Sequence, residues 1–212
     1  IDISLHIGSL IAVLIYFRDD LINFIKNKSL FLKIIVSAIP IMIVGYLLVK
    51  LNLIDRLRNF QVIGWMTIIF GVFLYIADKR QIEKNINQHF NYKTAILIGL
   101  IQVLALIPGV SRSGITISAA RIFEFKREDS LKISFLLSIP TLFSVSFFNI
   151  FNLYQSNNLS FSFTNILAII MSFVFSYLTI KYFISYVKKF DLKLFVYYRI
   201  ILGTSILIIA YL

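Results

Sequence analysis

The chain consists of long apolar blocks separated by short polar and charged segments. Six blocks are long enough, or nearly so, to cross a bilayer: residues 1–17, 34–51, 62–77, 131–153, 163–184 and 195–212. An α-helix rises about 1.5 Å per residue, so roughly 20 residues span the hydrocarbon core. In lipid the backbone must satisfy its own hydrogen bonds, which favours helices. The pattern predicts an all-α integral membrane protein, a single domain over residues 1–212, with about six crossings.

Basic residues are concentrated in the segments between the blocks. Four segments carry four basic residues each: 18–33, 78–93, 121–132 and 181–193. The positive-inside rule places these in the cytoplasm and the uncharged segment 152–162 outside, whereas segment 50–58, with three basic residues, departs from the rule. Segment 19–33 mixes apolar and charged residues, so an interfacial helix and an ordinary loop are both open for it.

This topology constrains the chain between two of the cytoplasmic segments. Because segments 78–93 and 121–132 lie on the same side, the residues between them must cross an even number of times. Residues 94–120 are too few for two full spans and a turn. They fit one re-entrant hairpin with residues 108–113 at its tip, which is allowed where protein encloses the non-helical backbone.

Composition agrees with a membrane protein. The hydrophobic fraction is 59% and the mean hydropathy +0.88, against roughly 45–50% apolar residues in soluble domains. The absence of Cys excludes disulfides, Cys-ligated metals and a cysteine nucleophile. The net charge of +11 would suit a nucleic-acid binder, but the basic residues sit in short segments between apolar blocks, as beside anionic lipid. We therefore expect a membrane partner and no nucleic acid.

The run Pro108-Gly109-Val110-Ser111-Arg112-Ser113-Gly114-Ile115-Thr116 interrupts one of the most apolar parts of the chain. Pro and Gly stop a helix, and an arginine at membrane depth costs about 2.5–3.5 kcal/mol on insertion scales. Backbone amides near glycines, a restarting helix, three hydroxyls and a planar guanidinium together favour an anion site. The run lacks the Lys-Ser/Thr of a nucleotide P-loop and the last Gly of a G-x-S-x-G nucleophile elbow.

A structural interpretation of the same run stays open. It is a Pro-Gly kink whose Arg112 pairs with an internal carboxylate and whose serines cap a helix. Between Asp2 and Asp191 every acidic residue falls in a loop, so a buried partner for Arg112 is scarce.

Three motifs resemble one family. The run Gly99-x-x-Gln102-x-x-Ala105-x-x-Pro108-Gly109-x-Ser111-Arg112-Ser113-Gly114-x-Thr116 resembles the second signature of the undecaprenyl-pyrophosphate phosphatases of the bacitracin-resistance type. Asp2-x-x-x-His6-x-Gly8-Ser9 is similar to their conserved segment further upstream, and Tyr198-Arg199-x-x-Leu202-Gly203 to their last helix. The matches occur in order over nearly the whole chain.

The resemblance implies a multi-pass enzyme of the bacterial inner membrane. It would remove one phosphate from undecaprenyl diphosphate, giving undecaprenyl phosphate for recycling of the cell-wall carrier lipid, and it would confer bacitracin resistance. The resemblance also implies a divalent metal, Mg²⁺ or Ca²⁺, and two inverted repeats with re-entrant hairpins around a site facing the periplasm. A homodimer is left open.

The first signature of that family has two glutamates and a Pro-x-Ser-Ser-Thr-Gly-His stretch, which should precede Ile1. We therefore expect an N-terminal hairpin and the metal ligands upstream of Ile1, and no activity from residues 1–212 alone. The rival function is a polyprenyl-phosphate or anion transporter, since carriers also use broken helices and intramembrane arginine.

The candidate site residues fall into three groups. The catalytic candidates are Arg112, Ser111 and Ser113. The candidates for phosphate binding are Gly109, Gly114, Thr116, Gln102 and Arg199. Asp2 and His6, four residues apart on one helix face, are candidates for support. For these residues a purely structural role stays open: extension of Arg199 to the membrane surface, an interhelical hydrogen bond at Gln102, and a structural hydrogen bond between Asp2 and His6. A further histidine, His89, is expected to be solvated.

Overall fold

The computed structural model describes residues 2–26, 28–51, 58–80, 84–155 and 163–212, without the side chains of residues 2, 23–26, 149 and 152–155. Within these residues the chain forms α-helices, one short 3₁₀ helix and the turns and loops between them, with one isolated bridge between Lys84 and Phe125. The ten α-helices are α1 (Asp2–Tyr16), α2 (Arg18–Lys26), α3 (Lys28–Lys50), α4 (Phe60–Asp78), α5 (Ile86–His89), α6 (Tyr92–Gln102), α7 (Arg112–Ile122), α8 (Arg127–Gln155), α9 (Phe163–Val187) and α10 (Lys193–Tyr211).

Five helices, α3, α4, α8, α9 and α10, are long and apolar enough to cross a membrane. This confirms the predicted all-α, multi-pass membrane protein. The sixth predicted crossing, residues 1–17, corresponds to α1, whose 15 described residues extend about 22 Å. Residues 18–26, for which a loop was one alternative, form the helix α2, and Asp20 Oδ1 lies 2.5 Å from Lys132 Nζ of α8.

Small residues allow two pairs of helices to pack closely, as is usual in membranes. On α1, a Cβ at Gly8 would lie 2.4 Å from the Ile169 carbonyl oxygen of α9. On α4, a Cβ at Gly64 would lie 3.2 Å from the Gly203 carbonyl oxygen of α10. Hydroxyls add to the first pair, since Ser9 Oγ lies 3.0 Å from Ser172 Oγ. These contacts fix α4 and α10 as one wall of the site described below.

Helices α6 and α7, of 11 residues each, form the two arms of the interrupted segment. A short 3₁₀ helix, Val103–Leu106, extends the first arm. The Lys84 amide donates to the Glu124 carbonyl at 2.7 Å, and the Lys126 amide donates to the Lys84 carbonyl at 3.1 Å. The chain thus enters and leaves this segment at the same end of the bundle, as the charge pattern predicts, while its placement in a membrane stays a prediction.

Protein surrounds the second arm. Seven consecutive residues of α7, from Ile115 to Arg121, are buried, and the helix packs against α4, α6 and α8. The crossing helices behave differently, because they expose large apolar side chains such as Phe143 and Phe175 outward. Protein therefore encloses helix α7, as a re-entrant hairpin requires of its second arm.

A buried ion cluster joins four helices at the end where α7 finishes. Asp78, 7% exposed, accepts from Arg127 Nε at 2.7 Å and Nη2 at 3.1 Å, and from the Leu192 amide at 3.1 Å. Arg121 Nε lies 3.4 Å from the same carboxylate, and its Nη1 donates to the Phe125 carbonyl at 2.7 Å. Counting charges by segment placed Arg121 in a solvated loop, but it lies 4% exposed inside this cluster.

Candidate active site

The loop at residues 107–111 has a backbone that its sequence requires. Ile107, before proline, is extended at φ −77° and ψ 124°, as the proline ring demands. Gly109 has φ +95°, in the region that glycine tolerates, and a Cβ there would lie 2.4 Å from the Ile63 carbonyl oxygen of α4. Glycine is thus needed twice over, for its dihedral angle and for the close approach of α4.

Ser111 begins α7 in an unusual conformation. Its φ of 65° is positive, which costs of order 1–3 kcal/mol for a residue other than glycine and often marks a functional site. Its Oγ accepts from the Gly114 amide at 3.3 Å, and it lies 3.5 Å from Ser113 Oγ. The serine caps the helix, as the structural interpretation expects, and its strained backbone holds the hydroxyl at the exposed tip.

Arg199 of α10 supports the loop from one side. Its Nη2 donates to the Gly109 carbonyl at 2.8 Å, and its Nε donates to the Thr67 carbonyl of α4 at 3.2 Å. Thr67 Oγ1 lies 3.3 Å from the same Gly109 carbonyl. A Cβ at Gly114 would lie 3.3 Å from Arg199 Nη1, so the guanidinium also adjoins the start of α7. Arg199 is 8% exposed, so it does not snorkel to the membrane surface.

Arg112 extends in the opposite direction, toward α8. Its Nη1 donates to the hydroxyl of Thr141, the residue that follows Pro140 within that helix. Thr141 Oγ1 in turn donates to the carbonyls of Leu137 and Ser138, at 3.1 and 3.0 Å. The partner of Arg112 is a neutral hydroxyl rather than the carboxylate of the structural interpretation. Its charge is therefore not neutralised by this contact.

Gln102 and Thr116 contact each other rather than the tip. Thr116 Oγ1 donates to the Arg112 carbonyl at 2.8 Å and lies 3.3 Å from Gln102 Oε1. Both residues are 1% exposed, so their predicted contact with phosphate requires a rearrangement, whereas the interhelical bond predicted as the alternative for Gln102 is present. Within the described residues, Gln102 Nε2 is buried without a hydrogen-bond partner.

A cleft of about 880 Å³ opens beside the tip. Its polar end is formed by the loop together with side chains of α4 and α10: Thr67, Gly109, Ser111, Ser113, Gly114 and Arg199. Its walls are mainly apolar and aromatic side chains of α9 and α10, among them Phe175, Tyr182 and Phe195. The structure therefore brings five of the predicted site residues together at the cleft: Gly109, Ser111, Ser113, Gly114 and Arg199. The side chain of Arg112 does not line the cleft and contacts α8 instead.

The electrostatics of the tip favour a multiply charged anion. Arg112 and Arg199 flank the loop, and among the described residues no ion pair joins either of them to a carboxylate. Two positive charges in a largely desolvated setting repel each other and are costly without counter-charge. An anion bearing two or more charges at the tip would offset Arg199 directly, and it would offset Arg112 once that side chain leaves Thr141 for the tip; the α7 N-terminus adds partial positive charge.

The described residues do not fit a divalent metal. They contain no group of three or more His, Asp or Glu side chains that can hold an ion. The tip offers hydroxyls, amides and guanidinium groups, whereas Mg²⁺ and Ca²⁺ prefer carboxylate ligands. The divalent metal stays a prediction of the family resemblance, and no step below depends on it.

The support residues lie on another part of the bundle. His6 is half-buried on α1, which packs against α9 and α8, and the Asp2 side chain is outside the described residues. His89 is exposed and caps its own short helix, with Nδ1 3.3 Å from the Asn85 backbone nitrogen, so the predicted solvated histidine is confirmed.

Sequence reasoning missed Thr67 and Thr141. Each lies within an apolar crossing helix, where a threonine hydroxyl commonly bonds the backbone of its own helix, so neither residue stood out as part of a site. The signal that was available is position, since Thr141 directly follows an intrahelical proline.

Comparison with known proteins gives one family. A sequence profile of bacitracin resistance protein BacA matches residues 1–205. The chain is 47% identical over 213 residues to an undecaprenyl-diphosphatase of Pelagibacter ubique, covering 100% of this chain and 82% of that protein. An undecaprenyl-diphosphatase of Elusimicrobium minutum is 40% identical over 220 residues, with coverages of 99% and 82%. One of Saccharophagus degradans is 36% identical over 217 residues, with coverages of 97% and 81%.

Proposed function

The chain belongs to the bacitracin resistance protein BacA family, and we propose that it removes one phosphate from undecaprenyl diphosphate, with the diphosphate bound at the tip of residues 108–114. The product is undecaprenyl phosphate, the carrier lipid of cell-wall synthesis. The observation that carries the proposed site is the loop flanked by two arginines, Arg112 and Arg199, that have no carboxylate partner among the described residues.

The cleft matches the chemistry of such a substrate. A polyprenyl diphosphate has a highly charged head and a long apolar tail. The head fits the polar end formed by the loop, and the aromatic walls of α9 and α10 offer an apolar surface to the first isoprene units. A free phosphate or nucleotide would leave those walls without a partner.

The residues at the tip supply binding and electrostatic stabilisation. Arg112 binds the diphosphate when its guanidinium leaves the Thr141 hydroxyl and donates to phosphate oxygens instead. It then offsets the negative charge that develops on the oxygen of the leaving polyprenyl phosphate. The hydroxyls of Ser111 and Ser113 and the amides at the α7 N-terminus bind the phosphate that is removed. Arg199 fixes the loop through the Gly109 carbonyl.

The attacking oxygen belongs to Ser111, to Ser113 or to water. A serine nucleophile forms a phosphoserine that water then hydrolyses, whereas direct attack by water forms no covalent intermediate. Rapid quenching of a reaction with substrate labelled at the terminal phosphate separates the two, because only the serine route leaves label on the protein.

We place the tip near the periplasmic side of the inner membrane, with segments 78–93 and 121–132 in the cytoplasm. The first arm has 11 α-helical and 4 3₁₀-helical residues. At about 1.5 and 2 Å per residue it extends roughly 24 Å from the cytoplasmic end, most of a core of about 30 Å. This length supports a re-entrant hairpin over residues 94–120 whose tip is reached from outside.

The test is turnover by the full-length protein purified in detergent. The expected result is release of one inorganic phosphate for each undecaprenyl diphosphate consumed, with undecaprenyl phosphate as the other product. A protein that binds the lipid diphosphate, releases no phosphate and moves the lipid between leaflets of a vesicle would be a carrier, and the proposal would be wrong.

A further inference from the structure

A second cavity, of about 990 Å³, lies at the end of the bundle that holds the Asp78 cluster. None of residues 108–114 belongs to its described lining, so it is separate from the cleft at the loop. Seven basic and three acidic side chains line it among the described residues.

The three carboxylates of this cavity are already engaged. Asp78 is held by Arg127 and Arg121. Glu128 Oε1 lies 2.9 Å from Lys188 Nζ, and Asp191 Oδ2 lies 2.7 Å from Lys193 Nζ in the same way. The lining therefore keeps a surplus of four positive charges, which its own acidic residues cannot offset.

Lys79 and Arg80 supply exposed positive charge at the cavity wall. They directly follow α4, and both side chains are exposed. Lys79 Nζ lies 4.5 Å from the centroid of the Tyr75 ring, a cation–π contact that keeps the ammonium group against the wall. Among the described residues neither side chain forms an ion pair, so an anion in the cavity would meet both charges without breaking one.

The cavity borders a surface that suits lipid tails. Ile76 is 60% exposed, and it adjoins the lining residue Tyr75 in the chain. Leu194 is 57% and Tyr197 60% exposed, just beyond the lining residue Lys193. In a membrane-spanning bundle such side chains face acyl chains. A basic cavity beside an apolar, lipid-facing surface matches a molecule that carries an anionic head and apolar tails.

We propose that this cavity binds the phosphate headgroup of an anionic glycerophospholipid, with its acyl chains along the exposed faces of α4 and α10. Each basic residue near an anionic bilayer contributes a factor of about five in affinity. A free phosphate ion would gain nothing from the apolar border, and a neutral headgroup would leave the positive surplus without counter-charge. The site goes beyond the proposed phosphatase activity and does not depend on it.

The test is lipid binding by the full-length protein in neutral detergent, read by native mass spectrometry. Phosphatidylglycerol should bind about tenfold or more tightly than phosphatidylcholine, because each basic residue at the site contributes a factor of about five in affinity for an anionic headgroup. The double variant Lys79→Gln/Arg80→Gln should lose at least about fivefold in affinity for phosphatidylglycerol. The matched control Lys28→Gln/Lys93→Gln removes two exposed charges that do not line the cavity and should change the affinity by less than about twofold.

Four results would overturn the proposal. The first is an equal loss of affinity for phosphatidylglycerol in the two double variants, and the second is equal affinity of the protein for phosphatidylglycerol and phosphatidylcholine. The third is complete displacement of the bound lipid by millimolar inorganic phosphate. The fourth is a protein that binds undecaprenyl phosphate but does not bind phosphatidylglycerol. The melting temperature in lipid-free detergent reports folding. If the double variant melts early, Arg80→Gln alone replaces it and should lose roughly half as much on a logarithmic scale.

Discussion

Replacing Arg199 by methionine tests how the loop is held. Methionine has a similar length, so Arg199→Met removes the guanidinium without opening a large cavity or leaving a buried charge unpaired. It deletes the bonds to the Gly109 carbonyl at 2.8 Å and to the Thr67 carbonyl at 3.2 Å.

The expected magnitude follows from these two contacts. Hydrogen bonds to a charged donor contribute about 1.5–3 kcal/mol each. The Gly109 carbonyl keeps the Thr67 hydroxyl at 3.3 Å, so it is not left without a partner. The two bonds together contribute about 3–6 kcal/mol, but the substitution also removes the desolvation cost of a buried charge, so we expect a net loss of about 2–3 kcal/mol in the free energy of unfolding. A loop displaced by about 1 Å costs roughly 100-fold in turnover.

The assay pairs thermal unfolding with phosphate release on the same full-length protein. Arg199→Met should lower the melting temperature by about 5–10 °C and turnover by about 100-fold or more. Thr67→Val is the matched control, because it keeps the guanidinium and removes the longer contact with Gly109, together with the hydroxyl's bond to the Ile63 carbonyl of its own helix at 2.7 Å; it should cost about 1 kcal/mol and less than tenfold in turnover. An Arg199→Met protein with wild-type melting and wild-type turnover would refute the role given to Arg199.

Three further variants test other contacts. Arg112→Ala should lower turnover by at least about 100-fold with little change in melting, and Arg112→Lys should not rescue it, because lysine lacks the planar pair of donors; a folded, nearly fully active Arg112→Ala would contradict this. Gly109→Ala should destabilise the protein by about 2 kcal/mol or more, since its Cβ would meet the Ile63 carbonyl at 2.4 Å and φ is +95°; unchanged melting would count against the loop geometry. Asp78→Asn should cost about 3–5 kcal/mol in unfolding, because the buried Arg121 and the partly exposed Arg127 lose the Asp78 carboxylate; a loss below about 1 kcal/mol would show that the cluster is dispensable.

The architecture was largely predictable because the bilayer restricts it. The lengths of the apolar blocks predicted the crossing helices. The positions of the basic segments predicted that the chain enters and leaves residues 94–120 on the same side, and the backbone hydrogen bonds between residue 84 and residues 124 and 126 agree with this. The break at Pro108-Gly109 followed from local backbone chemistry.

The partners of the charged residues were not predictable, because they depend on contacts between distant segments. Arg199 reaches Gly109, 90 residues away in sequence, and Arg112 reaches Thr141, 29 residues away. From residue type alone, the Arg199 side chain could either contact phosphate or extend to the membrane surface. Counting charges likewise missed the burial of Arg121, since a count cannot show which arginine pairs with Asp78.

The most direct test of the central claim is whether the substrate covers the loop. Ser113 is exposed and lines the cleft, and the 212 residues contain no Cys, so Ser113→Cys introduces a single thiol into this part of the protein. In otherwise Cys-free full-length protein, saturating undecaprenyl diphosphate should slow modification of that thiol by a polar reagent about tenfold or more, as expected for a group buried by a bound ligand. A thiol from Gln88→Cys, on the exposed helix α5, should react at the same rate with and without substrate. Unchanged modification at position 113 under saturating substrate would contradict binding of the diphosphate at residues 108–114.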